Sequence, residues 1–221
     1  MMVKEHGYEI KEICANIQPL GFASNFFHAS APAPEFQKVL GALQEFECYD
    51  VYPWNSEPSV SEFLGELVFR HRARIVVEVG CFVGWTSAHI ALGLRAAGVG
   101  GRLWCIDCNP VFLDAARTNL ARRHLDDLAN YVCGRSLEET VMAALPPKVD
   151  VIFLDTSHEY DDTLREIEVY SRRLSEDGFL VLHDSISANG VRRAVKKVWR
   201  SFQCLTFATE YGNGVTVLRK V

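Results

Sequence analysis

The chain has 221 residues, 48% of them apolar, enough to build one main domain with an appendage. Its 28 acidic and 23 basic residues leave a net charge of -5, and no Lys/Arg block offers a track for nucleic-acid phosphates; a small molecule is the expected partner. No apolar run approaches the ~20 residues that span a bilayer, and no apolar leader precedes the seven scattered cysteines, so a protein of the reducing cytoplasm without a membrane partner is expected.

In chain order, residues 1–57 come first. "GFASNFFHASAPAPEF" interleaves aromatics with small residues and prolines, and "YDVYPWNSEP" adds Tyr49, Tyr52 and Trp54. No sheet pattern occurs there. A helix over 35–47 is expected, in a segment that either packs over the domain as a tail or covers a substrate as a lid. Its aromatics also make it a candidate homodimer surface.

From residue 73 onward short β-rich runs alternate with amphipathic stretches of helical length, the pattern of a parallel sheet with helices on both faces. Strands are predicted at 74–80, 101–107, 129–134, 149–155, 178–184, 204–209 and 213–220. Helices are predicted near 85–97, 110–123, 136–144, 160–174 and 188–201. The last two strands flank "EYGNG", whose Asn-Gly favours a hairpin, so one antiparallel strand closes the sheet. The pair Cys105 and Cys108 lies along a predicted strand and reads as packing, with redox or metal use the lesser alternative.

"VVEVGCFVGWTS" puts Gly80 at the end of the first strand and Gly84 at the next helix start, where a backbone can turn sharply beside a ligand. A dinucleotide fingerprint would need glycines at 82 and 85, but Phe82 and Trp85 stand there, which disfavours NAD. The turn suits a nucleoside with an amino-acid tail: Thr86 and Ser87 can hold a carboxylate, and Glu78 can orient an amine. The alternative is a mere strand-to-helix turn. Asp107, ending "CID" beside this turn, can accept two ribose hydroxyls or can serve the helix start at Asn109-Pro110. Arg135 and Ser136, after the third strand, fall near the expected base, although Ser136 with Glu139 also spells a capping box.

The fourth strand ends at Asp155 and the fifth at Asp184. Two facing carboxylates need a proton or a cation between them, and oxygen ligands with open positions suit Mg²⁺. His158, three residues after Asp155, can take a proton from a hydroxyl; the bland alternative makes it a solvated helix-start residue. His183 is a weak metal-ligand candidate, because neighbouring strand residues point to opposite faces unless the strand has broken. Asp161 and Asp162 fit the first turn of a helix. Tyr160, Leu164, Ile167 and Leu174 form its predicted apolar stripe.

With Asp155, His158 and Tyr160 after strand four, "LSEDGFLVLHDS" around Asp184, and "EVGCFVGWTS" and "CID" earlier, the chain from about residue 58 to the end resembles the class I S-adenosylmethionine-dependent methyltransferases. The resemblance is to the branch with D-x-x-H-x-Y. It implies a Rossmann-like seven-stranded α/β sheet over residues 58–221, with residues 1–57 as an extension. It implies cofactor contacts from Glu78, Gly80, Cys81, Gly84, Thr86, Ser87, Asp107, Arg135, Ser136 and Asp155. By resemblance to macrolide sugar O-methyltransferases, Asp155 and Asp184 hold Mg²⁺ and His158 is the base. This chain departs from those relatives at His183, where they carry glutamate. It departs from catechol-type enzymes at Ser185, where they carry asparagine, and at His158, where they carry lysine.

The expected activity is methylation of a hydroxyl on a small molecule, a sugar or natural product. The alternatives are an Fe(II)-dependent hydroxylase of the same branch and a non-catalytic S-adenosylmethionine-binding protein.

Overall fold

A computed structural model describes residues 18–19, 55–209 and 211–220. The expected helix over 35–47, the aromatic lid and the dimer surface lie outside the described residues. The elements are β1 (Gln18–Pro19), α1 (Pro58–His71), β2 (Ile75–Val79), α2 (Trp85–Ala97), β3 (Arg102–Asp107), α3 (Pro110–Arg122), β4 (Ala129–Cys133), α4 (Glu139–Ala144), β5 (Val149–Leu154), α5 (Tyr160–Ser171), β6 (Leu174–His183), α6 (Asn189–Val198), β7 (Phe202–Ala208) and β8 (Val215–Lys220).

The sheet order is β1-β7-β8-β6-β5-β2-β3-β4. Only β8 runs against its neighbours, pairing antiparallel with both β6 and β7, so the predicted single antiparallel strand and closing hairpin are present. The two-residue β1 adds a short parallel edge beyond the seven predicted strands. Strand order reverses between β2 and β5, and this opens a crevice at the carboxyl ends of β2, β3, β5 and β6.

Alternation along the strands sorts the core into two layers. Val76, Val151, Val181 and Val217 face α1, α2 and α3. Val77, Ile152, Leu180 and Leu218 face α4, α5 and α6. β2, β5, β6 and β8 are thus apolar on both faces, which is why these runs read as continuous apolar stretches. The helices α1 and α2 cross closely because Gly93 lies against the Gly65 carbonyl, where a Cβ would sit 2.3 Å from that oxygen. Among the described residues no helix is long and apolar enough to cross a membrane.

Some expectations shift. Strand β6 begins at Leu174, because Leu174 pairs with Val149 across an irregularity in the β5–β6 register. Leu174 therefore belongs to β6 and not to the α5 stripe, which ends with Tyr170. The α4 helix begins at Glu139, and its N-cap residue Glu138 makes no side-chain bond. Ser136 does not cap it: Glu138 turns back to the Arg135 carbonyl, and the Ser136 hydroxyl reaches Glu166 instead. The start of α3 is as expected, with Asn109 Oδ1 accepting from the Val111 N–H before Pro110.

Candidate functional site

Two groups of side chains line the crevice, one on each side of the β2–β5 boundary. On the β2–β3 side the turn after β2 has Gly80 at φ 86°, Phe82 at φ 46° and Gly84 at φ 85°. A Cβ on Gly80 would lie 1.8 Å from the Asp155 carbonyl oxygen, so the glycine is required by the close approach of β5 as well as by its φ. Gly84 is pressed against Ala116 of α3 in the same way. The turn is held by Asp107, whose Oδ2 accepts from the Phe82 N–H (3.0 Å) and whose Oδ1 accepts from the Asn109 N–H (2.9 Å). Asp107 thus joins both strand-end turns and stays partly open to the crevice.

Glu78 is 1% exposed. Its Oε2 accepts from the Ser87 hydroxyl, while Oε1 has no partner. Burial, only partly offset by the Ser87 bond and reinforced by Asp155 and Asp107, pushes its carboxyl up to about 8. A buried acidic oxygen without a donor is costly, and a cationic amine in the crevice would satisfy it. The Thr86 hydroxyl pairs with that of Ser61 on α1 (3.1 Å), so both predicted carboxylate donors engage protein groups through their side chains. The α2 N-terminus has no side-chain cap from Gly84. Cys81 is buried, its thiol raised well above the usual range by its bond to Cys105 and by burial. Arg135 and Ser136 follow β4 at the next strand end, and the Ser136 carbonyl accepts from the Tyr170 hydroxyl (2.7 Å).

The β5–β6 side is denser. His158 Nε2 lies 3.1 Å from Asp155 Oδ1 and 3.1 Å from Asp184 Oδ2. His183 Nδ1 lies 3.1 Å from Asp184 Oδ2 and 3.5 Å from Asp155 Oδ2. The alternation problem at His183 resolves in the backbone: β6 ends at His183, and Asp184 takes φ 54°, so both side chains reach one cluster. His158 sits at φ 60°. Left-handed backbone at two non-glycine residues is strain of the kind that accumulates at functional sites. The turn carrying His158 is fixed by α6, where Gly190 packs against the His158 carbonyl with no room for a Cβ.

The electrostatics follow from this packing. Burial works to raise the Asp155 carboxyl, but the His183 charge and the bonds from His158 and His183 hold it well below the usual carboxylate range. Burial alone would depress His183, yet Asp155, Asp184 and Glu57 push it up to about 12. The bond to Asp155 raises His158 against its burial, with the charges of Asp155 and Asp184 adding to it.

Asp155, His158 and Asp184 present donor atoms within 4.8 Å of one another, and two carboxylates with an imidazole make a donor set that fits a divalent cation. Asp155, His158 and Asp184 could hold a metal, and the orphaned Glu78 oxygen could accept from an amine.

Four contributors went unread in the sequence. Glu57 Oε2 bonds His183 Nε2 (2.6 Å), Thr209 donates to Glu57 Oε1 (2.6 Å), and the Ser56 hydroxyl reaches Asp155 Oδ2 (3.3 Å). Ser56 and Glu57 fall within the segment read as an extension, with no local pattern to mark them except the helix-starting Pro58. Ser187, which donates to Asp184 Oδ1 (2.9 Å), follows three residues behind its aspartate and was legible only as part of a loop.

Comparisons with known proteins bear on the family and the fold. Residues 77–185 match the family model described as a methyltransferase domain. A catechol O-methyltransferase of Mycobacterium tuberculosis is 29% identical over 129 residues, covering 58% of this chain and 56% of that protein. An O-methyltransferase of Aspergillus thermomutatus is 28% identical over 116 residues, covering 52% and 47% respectively. The chain spans about half the length of these curated relatives. Among solved structures, an O-methyltransferase from Bacillus cereus in complex with SAH has a TM-score of 0.68 at 20% identity, covering 85% of this chain and 91% of that one. An O-methyltransferase from Streptomyces achromogenes in complex with SAM has a TM-score of 0.65 at 20% identity, covering 86% and 90%. These last two likenesses are of fold. Through residues 77–185 the chain is thus similar to the methyltransferase domain family, and it shares the fold of these solved O-methyltransferases.

Proposed function

We propose that the protein is an S-adenosylmethionine-dependent O-methyltransferase acting on a hydroxyl of a small molecule, with a divalent metal at Asp155 and Asp184. The single observation that carries the reading is the imidazole of His158 aimed, through Nε2, between two strand-end carboxylates beside a crevice with an unsatisfied buried Glu78 oxygen. The names of the relatives support O-methylation over the hydroxylase alternative.

S-adenosylmethionine supplies an electrophilic methyl group on a sulfonium. Glu78 Oε1 would accept from its amine, the α2 amides would meet its carboxylate, and Asp107 would accept from its ribose hydroxyls. Asp155 and Asp184 would hold the metal, Mg²⁺ by the oxygen-rich donor set, which as a Lewis acid lowers the pKa of a bound hydroxyl. His158 would take the acceptor proton on its imidazole, whose charged form Asp155 and Asp184 stabilise. The acceptor oxygen would gain the methyl group as the sulfonium's S–C bond breaks, leaving S-adenosylhomocysteine. Positioning and proton removal are the protein's work, because the methyl group is already activated.

The test is calorimetric binding of S-adenosylmethionine and S-adenosylhomocysteine, followed by transfer of a labelled methyl group to catechol and to a panel of sugars, with Mg²⁺ and then with EDTA. Cofactor binding with Mg²⁺-dependent, oxygen-independent transfer supports the assignment. Absence of cofactor binding, or turnover that requires Fe(II) and oxygen, sinks it.

A further inference from the structure

Glu57 lies outside the matched domain, 126 positions before His183, yet it is 2% exposed and both of its carboxylate oxygens are used. The bonds around it form one continuous line. The Gly214 N–H donates to Thr209 Oγ1 (3.0 Å), the Thr209 hydroxyl donates to Glu57 Oε1, and Glu57 Oε2 accepts from His183 Nε2. On the far side of the ring, His183 Nδ1 faces Asp184 Oδ2 and Asp155 Oδ2. Each nitrogen of His183 thus looks at an acceptor-only group, so both must donate, and the ring cannot rotate without breaking bonds at both ends.

The hairpin turn that carries Gly214 also holds the loop after Asp184. Ser185 N–H donates to the Gly214 carbonyl, and Ile186 and Ser187 N–H donate to the Asn213 carbonyl. The ring and the strained Asp184 backbone are therefore anchored to the same turn.

We propose that Glu57, acting through His183, is a positioning residue for the Asp155 and Asp184 carboxylates, and that His183 is a bridging donor in this array instead of a metal ligand. Glu57 approaches from behind the ring, on the side away from the aspartates, so it can set the ring without occupying the crevice. The inference rests on the proposed role of Asp155, His158 and Asp184 as the reacting group.

The test uses the full chain with ¹⁵N-labelled histidine, in wild type, Glu57→Ala and Glu57→Gln. The readout is the solvent exchange rate of the His183 Nδ1–H proton, followed by NMR with neither acceptor nor metal present. Exchange at Nδ1, on the far side of the ring from Glu57, is expected to rise at least tenfold in Glu57→Ala and less in Glu57→Gln. Electron paramagnetic resonance with Mn²⁺ alone should show at least a tenfold weaker affinity in Glu57→Ala, with S-adenosylhomocysteine affinity within twofold of wild type. Unchanged Nδ1–H exchange in Glu57→Ala overturns the proposal, as does equal loss of cofactor and Mn²⁺ binding, the mark of a merely structural residue. Should Glu57→Ala not fold, Thr209→Val loosens the same carboxylate and must move the same proton in the same direction. Failure of the methyltransferase reading appears separately, as a wild type that binds no S-adenosylhomocysteine.

Discussion

The two sides of the crevice are built on opposite plans. On the β2–β3 side the key contacts are local or between adjacent strand ends: Gly80 and Gly84 in one turn, Glu78 to Ser87 nine residues on, and Asp107 to Phe82 across neighbouring strands. That side keeps a buried acidic oxygen unsatisfied. On the β5–β6 side the contacts join distant segments, with Ser56 reaching Asp155 across 99 positions and Glu57 reaching His183 across 126. There the acidic groups are closed into a network of donors. The contrast teaches that a single buried carboxyl can be left open at one oxygen. A site that must hold several carboxylates together needs its counter-charges supplied by the fold.

The comparison can be broken or sharpened by experiment, beginning with the largest effect. His158→Ala should lower kcat by about 10²- to 10⁴-fold, the usual worth of a positioned general base. Its Mn²⁺ and S-adenosylhomocysteine affinities should stay near wild type; loss of Mn²⁺ binding would make His158 a ligand and not the base.

Asp184→Ala should cost at least 10-fold in Mn²⁺ affinity by electron paramagnetic resonance, within the range known for ligand-shell losses, and leave S-adenosylhomocysteine binding intact. If cofactor affinity falls equally, the two sides are not separable as described.

Gly80→Ala strikes the seam between them. The strained φ and the clash with the Asp155 carbonyl should cost about 3 kcal/mol or more, read as a lowered urea midpoint. A variant as stable as wild type would mean that β5 can retreat from the turn.

The smallest expected effect is at Glu78, where the sign depends on pH. Its carboxyl is raised from 4.5 to about 8, so the folded state holds a proton that the unfolded state releases. This contribution to stability is fully present below pH 4.5 and is lost as pH rises toward 8. Glu78→Gln should flatten that decline, leaving the ligand-free protein more stable at pH 8 than wild type, while weakening S-adenosylhomocysteine binding. Parallel urea titrations at pH 5 and pH 8 check it. Equal pH dependence in both proteins would show that the carboxyl is not held neutral.

Much of the fold was legible because strand and helix periods are local. The runs around Val77, Ile106, Ile152 and Leu180 are apolar on both faces and bounded by turn residues, and each became a central strand. Errors came where a partner set the element's edge. Leu174 fits the helical spacing of the α5 stripe, but pairing with Val149 draws it into β6. Ser136 spells a helix cap, but the buried Glu166 and the turn at Arg135 move the α4 start to Glu139.

The candidate site divides in the same way. Asp155, His158 and Asp184 could be named in advance, since each ends a strand or follows within one turn, and the sheet order brings adjacent strand ends together. The role of His183 could not, because alternation along a strand aims it away from Asp184. Only a left-handed residue at Asp184, stabilised by the hairpin turn, places both on one cluster. Thr209 carries no local signal, and Glu57 none beyond the helix-starting Pro58. By itself the sequence determined the layered sheet, the glycine turn and the strand-end acids, since these follow from short-range sterics and periodicity. The tertiary structure alone decided which donors hold those acids together, because charges buried from water must find partners in space, whatever their distance along the chain.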